Sequence, residues 1–173
     1  GGKMNIVHNL LDKRIGTPHE ARIALRWEGE EGATRVWTYG ELFREVNRVA
    51  NGLRALGLKK GDAIGLFMPM TPEIVAAFLA IVKIGAVVLP LFSGYGAGAI
   101  VTRLNDAGAK ALFATDGVSR RGQLVAMKPI ADEALAQCPT VAHCIVLKRA
   151  AEGPVAMSAP RDLWYHDLVR GQS

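Results

Sequence analysis

The sequence predicts an α/β fold, a layered parallel-type sheet flanked by helices, and three observations carry the prediction. Short apolar runs without polar alternation, "DAIGLFM" at 62–68, "AKALFAT" at 109–115 and "VAHCIVL" at 141–147, have the character of strands buried on both faces. Between them lie segments with apolar residues at helical spacing, and strands that alternate with helices pair in parallel through right-handed crossovers. Half of the 173 residues are hydrophobic, enough for one packed core of single-domain size.

Each element has its own justification. Residues 21–28, "ARIALRWE", and 34–37, "TRVW", have strand composition and are joined by the acidic, glycine-bearing turn "EGEEGA". Thr38 caps a helix, with Glu41 three residues on in the capping-box position. Leu42, Val46, Val49, Leu53 and Leu56 give that helix one apolar face, Arg44, Glu45 and Arg48 turn mostly outward, and Gly57 ends it. After the strand at 62–68, Thr71 and Pro72 open a helix running through Ile84; it is apolar nearly all round and is therefore expected inside the protein. A strand at 86–91, a short helix at 98–107, the strand at 109–115, a helix at 128–137 and the strand at 141–147 continue the alternation. "AEGPVAMSAP" at 151–160 is linker-like, and "RDLWYHDLV" at 161–169 is an amphipathic closing piece. The expected organisation is a cloning remnant at 1–3, an α/β subdomain over 4–150, and a linker with the start of a further segment over 151–173.

Composition removes several classes of function. Lys and Arg outnumber Asp and Glu by 21 to 16, but the basic residues are scattered, whereas a nucleic-acid binder concentrates them on one stripe with interleaved aromatics; no nucleic-acid partner is expected. Cys138 and Cys144 are too few for a disulfide framework and read as buried thiols of a reducing, cytoplasmic setting. His143 beside Cys144 lacks further histidines at ligand spacing, so no metal site is expected. No charged-then-apolar leader precedes a cleavage site, so no secretion signal is inferred. The run from Ile74 to Phe92, apolar except for Lys83, imitates a membrane span, but Gly85 and Pro90 divide it into a helix-like half and a β-branched half; a buried helix and strand are expected instead.

The stretch "LPLFSGYGAGAI" at 89–100 supports two readings. As a dinucleotide loop, Gly94-x-Gly96-x-x-Ala99 follows a strand and opens a helix, and Asp116 ends the next strand where a ribose carboxylate belongs. As a structural turn, it needs no ligand at all, since glycine-rich turns after strands are common and Pro90 costs a ladder hydrogen bond in a central strand. The residues of the loop alone leave both open.

The flanking residues carry more. "WTYGEL" at 37–42, "GLKKGDAIGLFMPMTPE" at 57–73 and "FLAIVKIGAVVLPL" at 78–91 together resemble the opening portion of the adenylate-forming, AMP-binding superfamily of acyl-CoA synthetases, luciferases and peptide-synthetase adenylation domains. "NIVHNLLDK" at 5–13, "IALRWEGEEGATRVWTYGEL" at 23–42 and "RDLWYHDLV" at 161–169 are similar to the acetyl-CoA synthetase subgroup, and the resemblance covers essentially the whole chain. It implies the N-terminal domain of the adenylate-forming fold and a parent ligase that activates a carboxylate with ATP and Mg, then passes the acyl group to the thiol of CoA.

The resemblance also reinterprets the loop. The segment matching Phe92, Ser93, Gly94 and Tyr95 lines the route of the pantetheine arm of CoA, where a side chain at Gly94 would obstruct a thin chain. "GVSRRGQLVAMK" at 117–128 resembles a stretch with two basic residues for the nucleotide end of CoA: Arg120 matches the first, Gln123 stands where the second is usual, and Arg121 is the candidate substitute. Ser93, Gly94, Arg120 and Arg121 are therefore the implied cofactor-binding residues, with no catalytic residue in the chain. The family's phosphate loop, its aromatic-Thr-Glu motif, its ribose aspartate and its catalytic lysine are not found within 1–173, which implies a fragment inactive alone, partnered with the remainder of its own polypeptide and prone to self-association through uncovered apolar surface. Two other functions remain: a stand-alone dinucleotide module using Gly94, Gly96 and Asp116, and a non-catalytic interaction domain.

Overall fold

A computed structural model describes residues 4–150 and 153–173, so the remnant expected at 1–3 and residues 151–152 of the linker lie outside the described residues. A five-stranded sheet forms the centre, built from β3 (Ala63–Phe67), β4 (Val87–Pro90), β5 (Ala111–Thr115), β8 (His143–Leu147) and β9 (Asp162–Trp164). Its order is β4-β3-β5-β8-β9 and every pairing is parallel, as the alternation of strands and helices implied for the first four. Counting only these five strands along the chain, the order is 2-1-3-4-5, the doubly wound arrangement with helices on both faces.

Successive side chains along each strand alternate between two cores. Ile64, Leu66, Phe113 and Ile145 join one core with α1 (Ile6–Leu10), α2 (Tyr39–Ala55), α3 (Pro72–Lys83) and α6 (Tyr165–Val169). Ala63, Phe67, Leu112, Ala114, Cys144 and Val146 join the other, with α4 (Ala97–Asp106) and α5 (Lys128–Leu135). Both cysteines are buried and free, Cys144 within β8 and Cys138 just beyond α5. Gly65 in β3 lets α4 lie close, since a Cβ there would stand 2.7 Å from Leu112 Cδ1 and 3.0 Å from Leu104 Cδ2.

The capping box opens α2 as expected: the Thr38 amide donates to Glu41 Oε2 at 2.7 Å and the Glu41 amide donates to Thr38 Oγ1 at 3.2 Å. The Thr38 amide, joined by the Thr38 hydroxyl donating to the same Glu41 Oε2 at 3.0 Å, holds the Glu41 carboxyl below its ordinary range against the opposing effect of burial. Gly57 then takes a φ of 82° and ends the helix. Ahead of α2, β1 (Ile23–Glu28) and β2 (Thr34–Thr38) form the antiparallel hairpin read from the sequence.

Three features differ from the sequence expectation. Helix α3 is not interior all round: Ile74 and Val75 are half-buried and Phe78 is 42% exposed, because this flank walls an open apolar cleft instead of meeting another element. The stretch 117–126 is a second hairpin, β6 (Gly117–Arg120) with β7 (Gln123–Ala126), its strands too short to show a period. Within the closing piece, Asp162–Trp164 is the edge strand of the central sheet and Tyr165–Val169 the helix packed on α2, so the sheet continues past the boundary expected at 150. Among the described residues no helix is long and apolar enough to cross a membrane.

A buried ionic cluster holds β9 in place. Lys128, at the start of α5 and 2% exposed, donates to both carboxylate oxygens of Asp132 at 2.7 and 2.8 Å, to Asp162 Oδ2 at 2.8 Å and to the Ala156 carbonyl at 3.0 Å. Arg161 reaches the same two carboxylates, 2.6 Å from Asp162 Oδ1 and 2.7 Å from Asp132 Oδ1. Burial opposes the charge on Lys128, but the two carboxylates outweigh it and keep its ammonium above the ordinary lysine range.

Candidate functional site

The carboxyl ends of parallel strands are where open α/β sheets bind ligands, and two crevices lie there. The first is at the switch point between β3 and β5. It is bridged by the β1–β2 hairpin: Trp27 Nε1 donates to the Met70 carbonyl at 2.7 Å, just past β3, and Arg149, just past β8, lies over the Trp27 ring at 5.2 Å. Arg149 Nη2 is also 3.6 Å from Glu31 Oε1 in the hairpin turn. The position where a doubly wound fold would seat a mononucleotide is thus crossed by the chain's own hairpin.

The dinucleotide reading fails on the same geometry. The glycine loop follows β4, an edge strand, whereas Asp116 follows β5, and β3 lies between the two. Asp116 is 3% exposed, and its carboxylate accepts from the backbone amides of Gly117 at 2.7 Å, Arg149 at 2.9 Å and Ala150 at 3.1 Å. It ties the end of β5 to the end of β8 and is not presented to a ribose beside Gly94 and Gly96.

The second crevice is an apolar cleft of about 740 Å³. Its floor is formed by Leu66 and Met68 of the β3 end and Pro90 and Leu91 of the β4 end, its wall by Ile74, Val75 and Phe78 of α3, and its rim by Met70, Phe92, Ser93 and Tyr95. Leu91 extends the ladder, its amide donating to the Leu66 carbonyl at 3.0 Å, and the chain then turns, with the Tyr95 amide on the Phe92 carbonyl at 2.9 Å. Phe92 meets Tyr95 edge-on at 5.7 Å between centroids, and the Arg103 guanidinium lies 4.4 Å over the Tyr95 ring. A Cβ at Gly94 would stand 2.5 Å from Phe92 Cε1, so the glycine makes room for that ring, itself 62% exposed. Around Gly96 and Gly98 a Cβ would meet nothing within 4 Å.

The structure brings two of the four singled-out residues into contact. Arg120, the last residue of β6, donates from Nη2 to Ser93 Oγ at 3.2 Å across the cleft rim. Among the described residues Arg120 has no carboxylate partner, so its exposed guanidinium, with five donors in all, keeps capacity for an anion. Arg121 lies elsewhere: with Gly122 it makes the two-residue hairpin turn, at φ 54° and 72°. Gln123 is the residue directly opposite Arg120 in the ladder, so the hairpin puts Gln123, not Arg121, beside Arg120 on one face.

Two groups of residues escaped the sequence reading, one beside the site and one at the opposite edge of the sheet. Glu30, in the β1–β2 turn, accepts the Arg121 amide at 2.5 Å. Lys128 shows a faint signal, a lysine in the first turn of a helix against the helix dipole with Asp132 one turn on, whereas nothing in the sequence pairs it with Asp162. No group of three or more His, Cys, Asp or Glu side chains among the described residues is placed to hold a metal.

Residues 12–168 match the family model described as AMP-binding enzyme. The chain belongs to the AMP-binding enzyme family. Similar curated proteins include the acetyl-coenzyme A synthetase of Methanothrix thermoacetophila, 42% identical over 173 residues and 99% of this chain, and that of Chlorobaculum tepidum, 44% identical over 169 residues and 98% of it. The acetyl-coenzyme A synthetase of Streptomyces avermitilis is 40% identical over 172 residues, 99% of the chain. In each case the chain spans 26% of the relative's length. The five-stranded parallel sheet flanked by helices is the α/β architecture expected of the N-terminal domain of this AMP-binding family.

Proposed function

We propose that the chain is the N-terminal portion of an ATP-dependent acid–thiol ligase that converts a short carboxylate such as acetate to its acyl-adenylate and then to the CoA thioester. Full-chain similarity of about 40% to acetyl-coenzyme A synthetases supports the reaction class. The observation that carries the local reading is the Arg120–Ser93 contact at the rim of the cleft. A guanidinium with no carboxylate partner among the described residues suits a phosphate of CoA, and the exposed backbone at Gly94, beside it, suits passage of the pantetheine arm. Arg121, at the turn, can serve as a second cation only from the tip of the hairpin, so Arg120 and Ser93 carry more of this reading.

The bridged switch point and the composition of the described residues support assigning the grip on ATP and Mg, and the catalytic groups, to the remainder of the polypeptide. That remainder also covers the apolar cleft, whose lining residues Met70, Phe92 and Phe78 are 77%, 62% and 42% exposed. The two free thiols support a reducing, cytoplasmic setting. The test is to compare the parent polypeptide with residues 1–173 alone. The parent forms AMP and acetyl-CoA from acetate, ATP and CoA with Mg, and the shorter chain forms no acyl-adenylate; a parent without ligase activity, or an active short chain, overturns the proposal.

A further inference from the structure

We infer that Glu30 is a positioning residue for Arg120, acting through the turn of the β6–β7 hairpin; this rests on the reading of Arg120 as a CoA contact. The β6–β7 hairpin is a two-stranded ribbon outside the central sheet, and isolated ribbons of four-residue strands are marginal on their own. Its turn requires left-handed backbone at two successive residues, and at Arg121, with φ 54°, a non-glycine residue occupies that region. The turn therefore gains from an external partner. Glu30 supplies one, its carboxylate accepting the Arg121 amide, a charge-assisted bond spanning 91 positions of sequence.

The far end of the connection is tied to the central sheet by its own contacts. Glu30 sits in the tight β1–β2 turn, where the Gly29 amide donates to the Ala33 carbonyl at 2.7 Å. Trp27 is anchored on the Met70 carbonyl, and Glu31 pairs with Arg149, which also covers Trp27. One hairpin, clamped to the ends of β3 and β8, thus holds the turn of the other. Arg120 precedes Arg121 directly, so the turn sets where its guanidinium emerges, 3.2 Å from Ser93. Glu30 itself touches neither Ser93 nor the cleft; it fixes the backbone from which Arg120 reaches them.

The experiment uses the parent polypeptide with Glu30→Ala, Glu30→Gln and Arg120→Ala, read in two ways. Amide hydrogen exchange at Arg121 reports the hydrogen bond, and calorimetric titration with CoA, without ATP or carboxylate, reports binding. Glu30→Ala speeds Arg121 exchange and weakens CoA binding about fivefold, the equivalent of one hydrogen bond of about 1 kcal/mol. Glu30→Gln, which keeps an acceptor oxygen, restores most of the affinity, and Glu30→Ala adds nothing when Arg120 is already alanine. If Arg120→Ala weakens CoA binding and Glu30→Ala does not, the positioning role is overturned and the CoA reading stands. If Arg120→Ala leaves CoA binding intact, the CoA reading fails and the role of Glu30 with it; unchanged Arg121 exchange in Glu30→Ala overturns the role by itself.

Discussion

Replacing Lys128 by methionine removes the centre of the cluster that fastens β9 and α5 together. Lys128 Nζ has four contacts of 2.7 to 3.0 Å, and the side chain of one partner, Asp162, is 0% exposed. Breaking a buried ion pair from one side costs about 3–5 kcal/mol, because the remaining charge stays buried. Here the loss falls at the low end, about 3 kcal/mol, since Asp162 keeps Arg161 at 2.6 Å and the Ser158 amide at 2.9 Å, and Asp132, whose side chain is 31% exposed, can be rehydrated. A domain of this kind has roughly 5–15 kcal/mol in total, so the variant still folds. Urea denaturation is the assay: with an m-value of about 2 kcal/mol/M the midpoint falls by about 1.5 M at unchanged m. Combining Lys128→Met with Asp162→Asn costs less than the sum of the single changes, because each removes the same contact. A midpoint shift equivalent to less than about 1 kcal/mol, or full additivity, refutes the argument.

The same cluster sets a pH dependence. Burial pushes the Asp162 carboxyl up, but the Arg161, Lys128 and Ser158 donors outweigh it and hold it below its ordinary 3.8. Its contribution is present above the unfolded-state value and is lost as pH falls through the lower folded-state value, so urea midpoints drop below about pH 4 and drop less steeply in Lys128→Met. Gly52→Ala destabilises by about 1–3 kcal/mol in urea or thermal melts, because its Cβ would stand 2.7 Å from the Leu168 carbonyl oxygen and force α6 off α2. Gly98→Ala, also helical but in open space, stabilises by about 0.5–1 kcal/mol. Burial pushes the Cys144 thiol up to about 12, and Cys138 is also raised by burial, so a thiol reagent at neutral pH labels neither until the chain is unfolded.

The fold was legible where local signals agreed with burial. At Thr38 and Glu41 the capping box, the apolar face after it and Gly57 all specify one helix, and the strands at 63–67, 111–115 and 143–147 are apolar because both of their faces are covered. The rest was decided by contacts distant in sequence. Asp162–Trp164 is too short to show a period and becomes a strand through β8 and the Lys128 cluster, and α3 has an uncovered flank that its composition could not reveal. At the site, resemblance singled out both Ser93 and Arg120, 27 positions apart, but only the hairpin turn shows that they meet. Asp116 looked like a ribose ligand because it ends a strand; strand order and its backbone donors give it a structural role instead.

The most direct test of the central claim, that the loop after β4 admits CoA, compares two half-reactions in the parent polypeptide carrying Gly94→Val. Carboxylate-dependent exchange of pyrophosphate into ATP reports adenylation, and thioester formation reports CoA entry. Gly96→Val, in the same loop but facing open space, is the control. The account predicts that Gly94→Val lowers the ratio of thioester formation to exchange by about tenfold or more, about 1.4 kcal/mol of obstruction, while Gly96→Val preserves the ratio. An unchanged ratio in Gly94→Val, or an equal fall in both variants, contradicts it.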